Sequence, residues 1–118
     1  MTIANVLVCL VALVHGYFLV LEMFLWTTPF GRGVFGTDPE FAQRSAALAA
    51  NQGLYNGFLA AGLVWGVVAD DPVGRPVTIF FLVCVIVAGI YGAVTVSRRI
   101  LLVQALPAAV ALALVLLS

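Results

Sequence analysis

Four long apolar runs divide the chain. Residues 3–26, 46–69, 77–97 and 100–117 are almost continuously hydrophobic, interrupted by a few polar residues. A membrane-spanning helix needs about 20 mostly apolar residues, so each run has roughly the length of one span. Together they use nearly the whole chain and leave no separate soluble domain. The pattern predicts an all-α polytopic membrane protein, an antiparallel four-transmembrane-helix bundle forming a single domain over residues 1–118. The expected helices are residues 3–26, 38–69, 77–97 and 100–117.

The polar breaks set the connections. Thr27-Thr28-Pro29-Phe30-Gly31-Arg32-Gly33-Val34-Phe35-Gly36 holds three glycines and a proline, so it is expected to turn and not to continue as helix. Thr37 and Glu40 have capping-box spacing and Pro39 suits a first helical turn, which starts the second helix near Asp38. Asp70-Asp71-Pro72-Val73-Gly74-Arg75-Pro76 and Ser97-Arg98-Arg99 read as short polar turns. Short connections make consecutive helices antiparallel neighbours. Arg32, Arg44, Arg98 and Arg99 fall on one side of such a bundle and Arg75 on the other. The positive-inside rule then puts the loops at residues 27–37 and 97–99 in the cytoplasm and both termini outside.

Composition sharpens this reading. Hydrophobic residues make up 64% of the 118 residues, charged residues 8%, and the mean hydropathy is +1.22. Soluble domains carry roughly 25% charged residues. Five acidic and five basic residues give a formal net charge of zero, so there is no electrostatic footprint for nucleic acid. The first run lacks a basic leader and a small-x-small cleavage site, and is expected to be a retained helix. Cys9 and Cys84, each isolated in an apolar run, read as free thiols rather than a disulfide or metal pair. Ala49, Gly53, Gly57 and Ala61 recur every four residues, as do Ala88/Gly92 and Gly89/Ala93. Such small-residue faces let helix backbones approach in lipid.

Against this background, Glu22 and His15 stand inside the first apolar run. A carboxyl at the centre of a spanning helix costs about 3 kcal/mol on insertion scales, so an ionisable residue there suggests use. The two lie seven residues apart on one face, about 10 Å along the axis. The second run adds Asn51, Gln52, Tyr55 and Asn56, the third Tyr91 and Thr95, and the fourth Gln104 ahead of Pro107. Counting about 1.5 Å per residue from the side of the first loop, Glu22, Gln52, Tyr91 and Gln104 fall about 5–11 Å inside. His15 and Asn56 fall about 16 Å inside. These matched depths predict one polar cavity open toward the first loop, which would act as its lid.

Each residue also has a plainer role. Asn, Gln, Tyr and Thr serve as interhelical glue worth about 0.6 kcal/mol each. Trp26 suits an interfacial aromatic belt as well as a binding wall. Glu22 at the interface can snorkel or pair with an arginine, and His15 can make a structural hydrogen bond to Asn56. Pro107 can be a simple kink. One histidine, without i, i+4 partner ligands, argues against a helix-borne zinc site. Arg32 between Gly31 and Gly33 completes no phosphate-binding loop, because the Lys-Ser/Thr is absent. Ser45, Ser97 and Ser118 lie too near helix ends for a Ser-His-Asp arrangement. No cofactor and no metal are expected.

His15-Gly16-Tyr17, Leu21-Glu22-Met23-Phe24-Leu25-Trp26 and the block Asn51-Gln52-Gly53-Leu54-Tyr55-Asn56-Gly57-Phe58-Leu59-Ala60 carry a family resemblance, continued by Thr95-Val96-Ser97-Arg98-Arg99 and Val103-Gln104-Ala105-Leu106-Pro107-Ala108. On these motifs the chain resembles the small bacterial integral-membrane proteins grouped as a domain of unknown function, family thirteen-oh-four. The resemblance covers nearly the whole chain. It implies a four-helix protein of the bacterial cytoplasmic (inner) membrane and brings no activity with it.

Three functions suit these residues. An intramembrane enzyme would use Glu22 as general acid or base with His15 as proton partner. Asn51, Gln52, Tyr55, Asn56, Tyr91, Gln104 and Trp26 would then hold a lipophilic small molecule for isomerisation, cyclisation or epoxide opening. A small proton-coupled transporter would work as a homodimer with Glu22 at its centre, by analogy of architecture. A non-catalytic subunit of a membrane complex would use only the small-residue faces.

Overall fold

In the computed structural model, which describes residues 2–118, every regular element is helical. Helix α1 is Ile3–Met23, α2 Pro29–Phe35, α3 Pro39–Val68 and α4 Gly74–Thr95, followed by a π-helical stretch Leu101–Ala105 that runs into α5, Leu106–Leu117. Among the described residues two helices, α1 and α4, are long and apolar enough to cross a membrane, and Leu101–Leu117 forms a shorter apolar helix.

The helix ends depart from expectation for identifiable reasons. Helix α1 stops at Met23 and not at residue 26, because the Leu25 N–H bonds the Val20 carbonyl at 3.2 Å, one residue further back than an α-helix would use. The stretch expected to turn contains the short helix α2. Thr28 caps it by accepting from Gly31 N–H at 3.1 Å, Pro29 occupies the first position, and Gly36 closes it with φ of 68°. A left-handed residue after the last turn favours glycine, so the glycine read as a breaker is a helix stop. The cap of α3 is Asp38 and not Thr37: Oδ1 of Asp38 accepts from Phe41 N–H at 2.8 Å, while the Thr37 hydroxyl is buried with no hydrogen-bond partner among the described residues. Pro39 does open that helix. Helix α4 starts at Gly74, three residues before the expected position, since Pro76 in a first turn has no N–H to satisfy. Pro107 cannot bond the carbonyl four residues earlier, and the widened π turn lies directly upstream of it.

The chain divides into two compact units, Met1–Leu13 with Leu59–Ser118, and Val14–Phe58. In the first, one apolar cluster draws on four helices: Ala4, Val8, Val11 and Ala12 of α1, Leu63 of α3, Leu82 and Val85 of α4, and Ala108, Ala111 and Val115 of α5. Its contacts are made by small residues. A Cβ on Gly89 would lie 2.8 Å from Ala105 N, and one on Gly92 3.1 Å from Ile100 Cδ1. In the second unit Leu21, Ala42 and Ala49 are buried. A Cβ on Gly53 would sit 2.7 Å from Met23 Cγ and 3.2 Å from the Leu19 carbonyl oxygen. The stripe at 49, 53 and 57 is therefore a packing face, whereas Ala61 is exposed.

Gly89→Val is expected to destabilise the protein by about 1–3 kcal/mol, because the obstruction is backbone. Gly16→Ala, where nothing lies within 4 Å of the added Cβ, is expected to stabilise by up to about 1 kcal/mol through helix propensity. Thermal unfolding of the two variants in detergent micelles, side by side with the wild type, measures both.

Candidate functional site

The unit Val14–Phe58 contains the last turns of α1, helix α2 and the first two-thirds of α3. Gly53 and Gly57 bring α3 against Leu19, Glu22 and Met23 of α1. That approach puts a carboxyl and an amide in reach of each other. Asn56 Nδ2 donates to Glu22 Oε1 at 2.5 Å across 34 residues of sequence. Glu22 and Asn56 are both half-buried. No hydrogen bond from the described residues reaches Oε2 of Glu22, so one carboxyl oxygen is held and the other is open. Arginine plays no part: among the described residues the ion pair is Arg44–Glu40, 4.0 Å apart and exposed.

His15 is fully buried, and its ring meets Phe18 edge-on at 6.1 Å between centroids. Trp26 donates from Nε1 to Ser45 Oγ at 3.0 Å, and the Ser45 hydroxyl donates in turn to the Phe41 carbonyl at 2.7 Å. The Trp26 ring packs on Phe35 with centroids 4.9 Å apart. Trp26 thus ties the connection containing α2 to the start of α3, a role the sequence reading did not assign. Ser45 was passed over because it lies near a helix end, and a pairing across 19 residues leaves no periodic trace.

The other expected members of the site divide. Asn51, Gln52 and Tyr55 are on α3 in the same unit and are exposed. Tyr91 and Gln104 belong to the other unit. There Tyr91 is exposed and its carbonyl accepts from the Thr95 hydroxyl at 2.7 Å, while Gln104 is half-buried within the π-helical stretch. Among the described residues no three His, Cys, Asp or Glu side chains are grouped as metal ligands. Cys9 and Cys84 are free thiols.

A double-mutant cycle with Glu22→Ala and Asn56→Ala is expected to return a coupling of about 1 kcal/mol, between the average interhelical bond in lipid and a bond to a charged group. Unfolding of the four proteins in one detergent measures it. Ser45→Ala is expected to change the Trp26 emission in a Trp65→Phe background, since it removes the indole acceptor; steady-state fluorescence reads this directly.

Comparison with known proteins gives a consistent placement. A family model described as protein of unknown function (DUF1304) matches residues 9–116. Uncharacterized protein YpaA of Lactococcus lactis subsp. lactis (strain IL1403) is 32% identical over 107 residues, covering 88% of this chain and 89% of the relative. No solved structure matches the chain.

Proposed function

The chain belongs to the DUF1304 family of proteins of unknown function, and from that premise we propose that it is a four-span membrane protein with an acid–base site for a lipophilic small molecule. In this reading Glu22 exchanges the proton and Asn56 positions it. The observation that carries it is the Asn56–Glu22 hydrogen bond, which engages Oε1 and leaves Oε2 without a partner among the described residues. General acid–base catalysis needs a carboxyl that is oriented yet able to give or take a proton at a free oxygen. An amide orients it without adding charge, so the carboxyl can change protonation without breaking an ion pair. His15, buried one face-repeat earlier on α1, is the proton partner, with ligand or water bridging the roughly 10 Å along the axis. Asn51, Gln52 and Tyr55 continue the polar surface of α3 from Asn56 and supply contacts to substrate oxygens. Trp26 walls the site.

The same reading puts the protein in the bacterial cytoplasmic membrane, with residues 27–37 and 97–99 on the cytoplasmic side. The apolar lengths of α1 and α4 support it. Because Glu22 is engaged by a donor of its own chain, the bond favours a site completed within one protomer over a transporter whose carboxyls face each other across a dimer.

Native mass spectrometry of the purified wild type and Glu22→Gln tests the proposal. The expected result is a lipophilic molecule retained by the wild type and lost or altered in the variant. If both proteins are free of bound small molecules after purification from membranes, and both are dimers, the reading fails and proton-coupled flux in vesicles becomes the measurement to make.

A further inference from the structure

A second polar feature lies in the unit formed by Met1–Leu13 and Leu59–Ser118 and uses none of the residues of the acid–base site. Where α3 turns into α4, a cavity of about 390 Å³ is lined by Asn5, Gly66, Asp71, Gly74, Arg75 and Thr78, among others. The N-terminus of α4 opens onto it. Val73 makes no side-chain cap, and the N–H groups of Val73 and Gly74 both turn back to the Asp70 carbonyl. The Arg75 N–H has no backbone acceptor among the described residues. Pro76 has no N–H and Val77 N–H bonds the Val73 carbonyl, so this one free N–H, together with the helix dipole, is what the helix end offers an anion.

Thr78 shows that the cavity is more than a bare helix end. It is 4% exposed, and α3 packs so closely over it that a Cβ on Gly66 would overlap its Oγ1. Threonine and serine hydroxyls in a helix ordinarily donate to the carbonyl four residues back, as Ser45 and Thr95 do here at 2.7 Å each. Thr78 makes no such bond, and no group among the described residues partners its hydroxyl. The residue is buried, but its hydroxyl oxygen is not one of the fully buried orphans of the described residues, so it opens onto the cavity it lines and can take a partner from there. Arg75 spends Nη1 on the Val115 carbonyl at 2.6 Å, with the Ser118 carbonyl at 3.5 Å. That anchor fixes the guanidinium at the cavity edge and leaves its other N–H groups free to donate. Asp71, also on the lining, adds one negative charge.

We propose that this cavity binds a phosphate ester bearing an ammonium group, the phosphate held by Thr78, Arg75 and the α4 N-terminus, and the ammonium by Asp71. Arginine and a helix N-terminus recognise phosphate. An anion alone would be opposed by the Asp71 carboxylate, whereas a zwitterion is matched by it. Phosphatidylethanolamine headgroups and soluble phosphoethanolamine share this chemistry.

The test uses the full chain in detergent, with three probes: phosphatidylethanolamine and phosphatidylglycerol of equal acyl composition, followed by native mass spectrometry, and soluble O-phosphoethanolamine, followed by thermal shift. Preferential retention of phosphatidylethanolamine is expected, weakened about tenfold in Thr78→Val and restored in Thr78→Ser, with Asp71→Asn removing the preference over phosphatidylglycerol. Retention of the lipid without a shift from the soluble compound identifies a headgroup site. A saturable, Thr78-dependent shift from the soluble compound identifies a site for free phosphate esters. Equal retention of the two lipids by the wild type without a soluble-probe shift overturns the proposal, as does binding that is the same in Thr78→Val and wild type.

Discussion

Helix pairing in this chain runs across missing side chains. Gly53 meets the Leu19 carbonyl and the Glu22 Cβ, Gly66 meets the backbone and hydroxyl of Thr78, and Gly89 meets the backbone of Ala105. In a chain this apolar, the usual gain from burying hydrocarbon is of little use if the surroundings are lipid. Association must then come from close contact and from interhelical hydrogen bonds. Glycine permits the first and, by shortening the distance between axes, enables the second. Asn56 directly precedes a glycine of close approach, Gly57, and Thr78 lies directly under Gly66. The residues with polar chemistry are found where the backbones come nearest, which is where a short side chain can reach across.

The sequence showed the helical architecture clearly, because long apolar runs and glycine–proline punctuation are local signals. It named Glu22 and Asn56 among the polar residues of the helices but set Asn56 at the depth of His15, whereas its amide donates to Glu22. Less of the remainder was visible. The depth count treated every polar side chain as if it faced inward, yet Asn51, Gln52, Tyr55 and Tyr91 are exposed. Axial height can be counted along a sequence, whereas the direction a side chain faces depends on how each helix is rotated, and these helices are apolar nearly all round. The connection after Trp26 was misread for a different reason. Its glycines and proline are breakers in isolation, but Thr28-Pro29 and Gly36 stand where a short helix needs its cap, first residue and stop. Ser45 and Thr78 could not have been found this way, since their importance comes from a distant partner in one case and from a missing one in the other.

The choice of partner for Glu22 carries chemical meaning. A carboxyl within an apolar helix costs about 3 kcal/mol at the centre of a membrane, and the chain has five arginines that could offset this. None does among the described residues: Arg44 pairs with the exposed Glu40, and Arg75 is engaged with the Val115 carbonyl. Pairing Glu22 with an arginine would fix the carboxyl in its ionised form, because removing that charge would strand the guanidinium. An asparagine imposes no such condition. Its N–H donates to Oε1 whether or not Oε2 carries a proton, so both protonation states keep the same geometry. A group held in place by a neutral donor can load and release a proton with little rearrangement around it. The geometry that allows this rests on a single amide brought into reach by the glycine beside it.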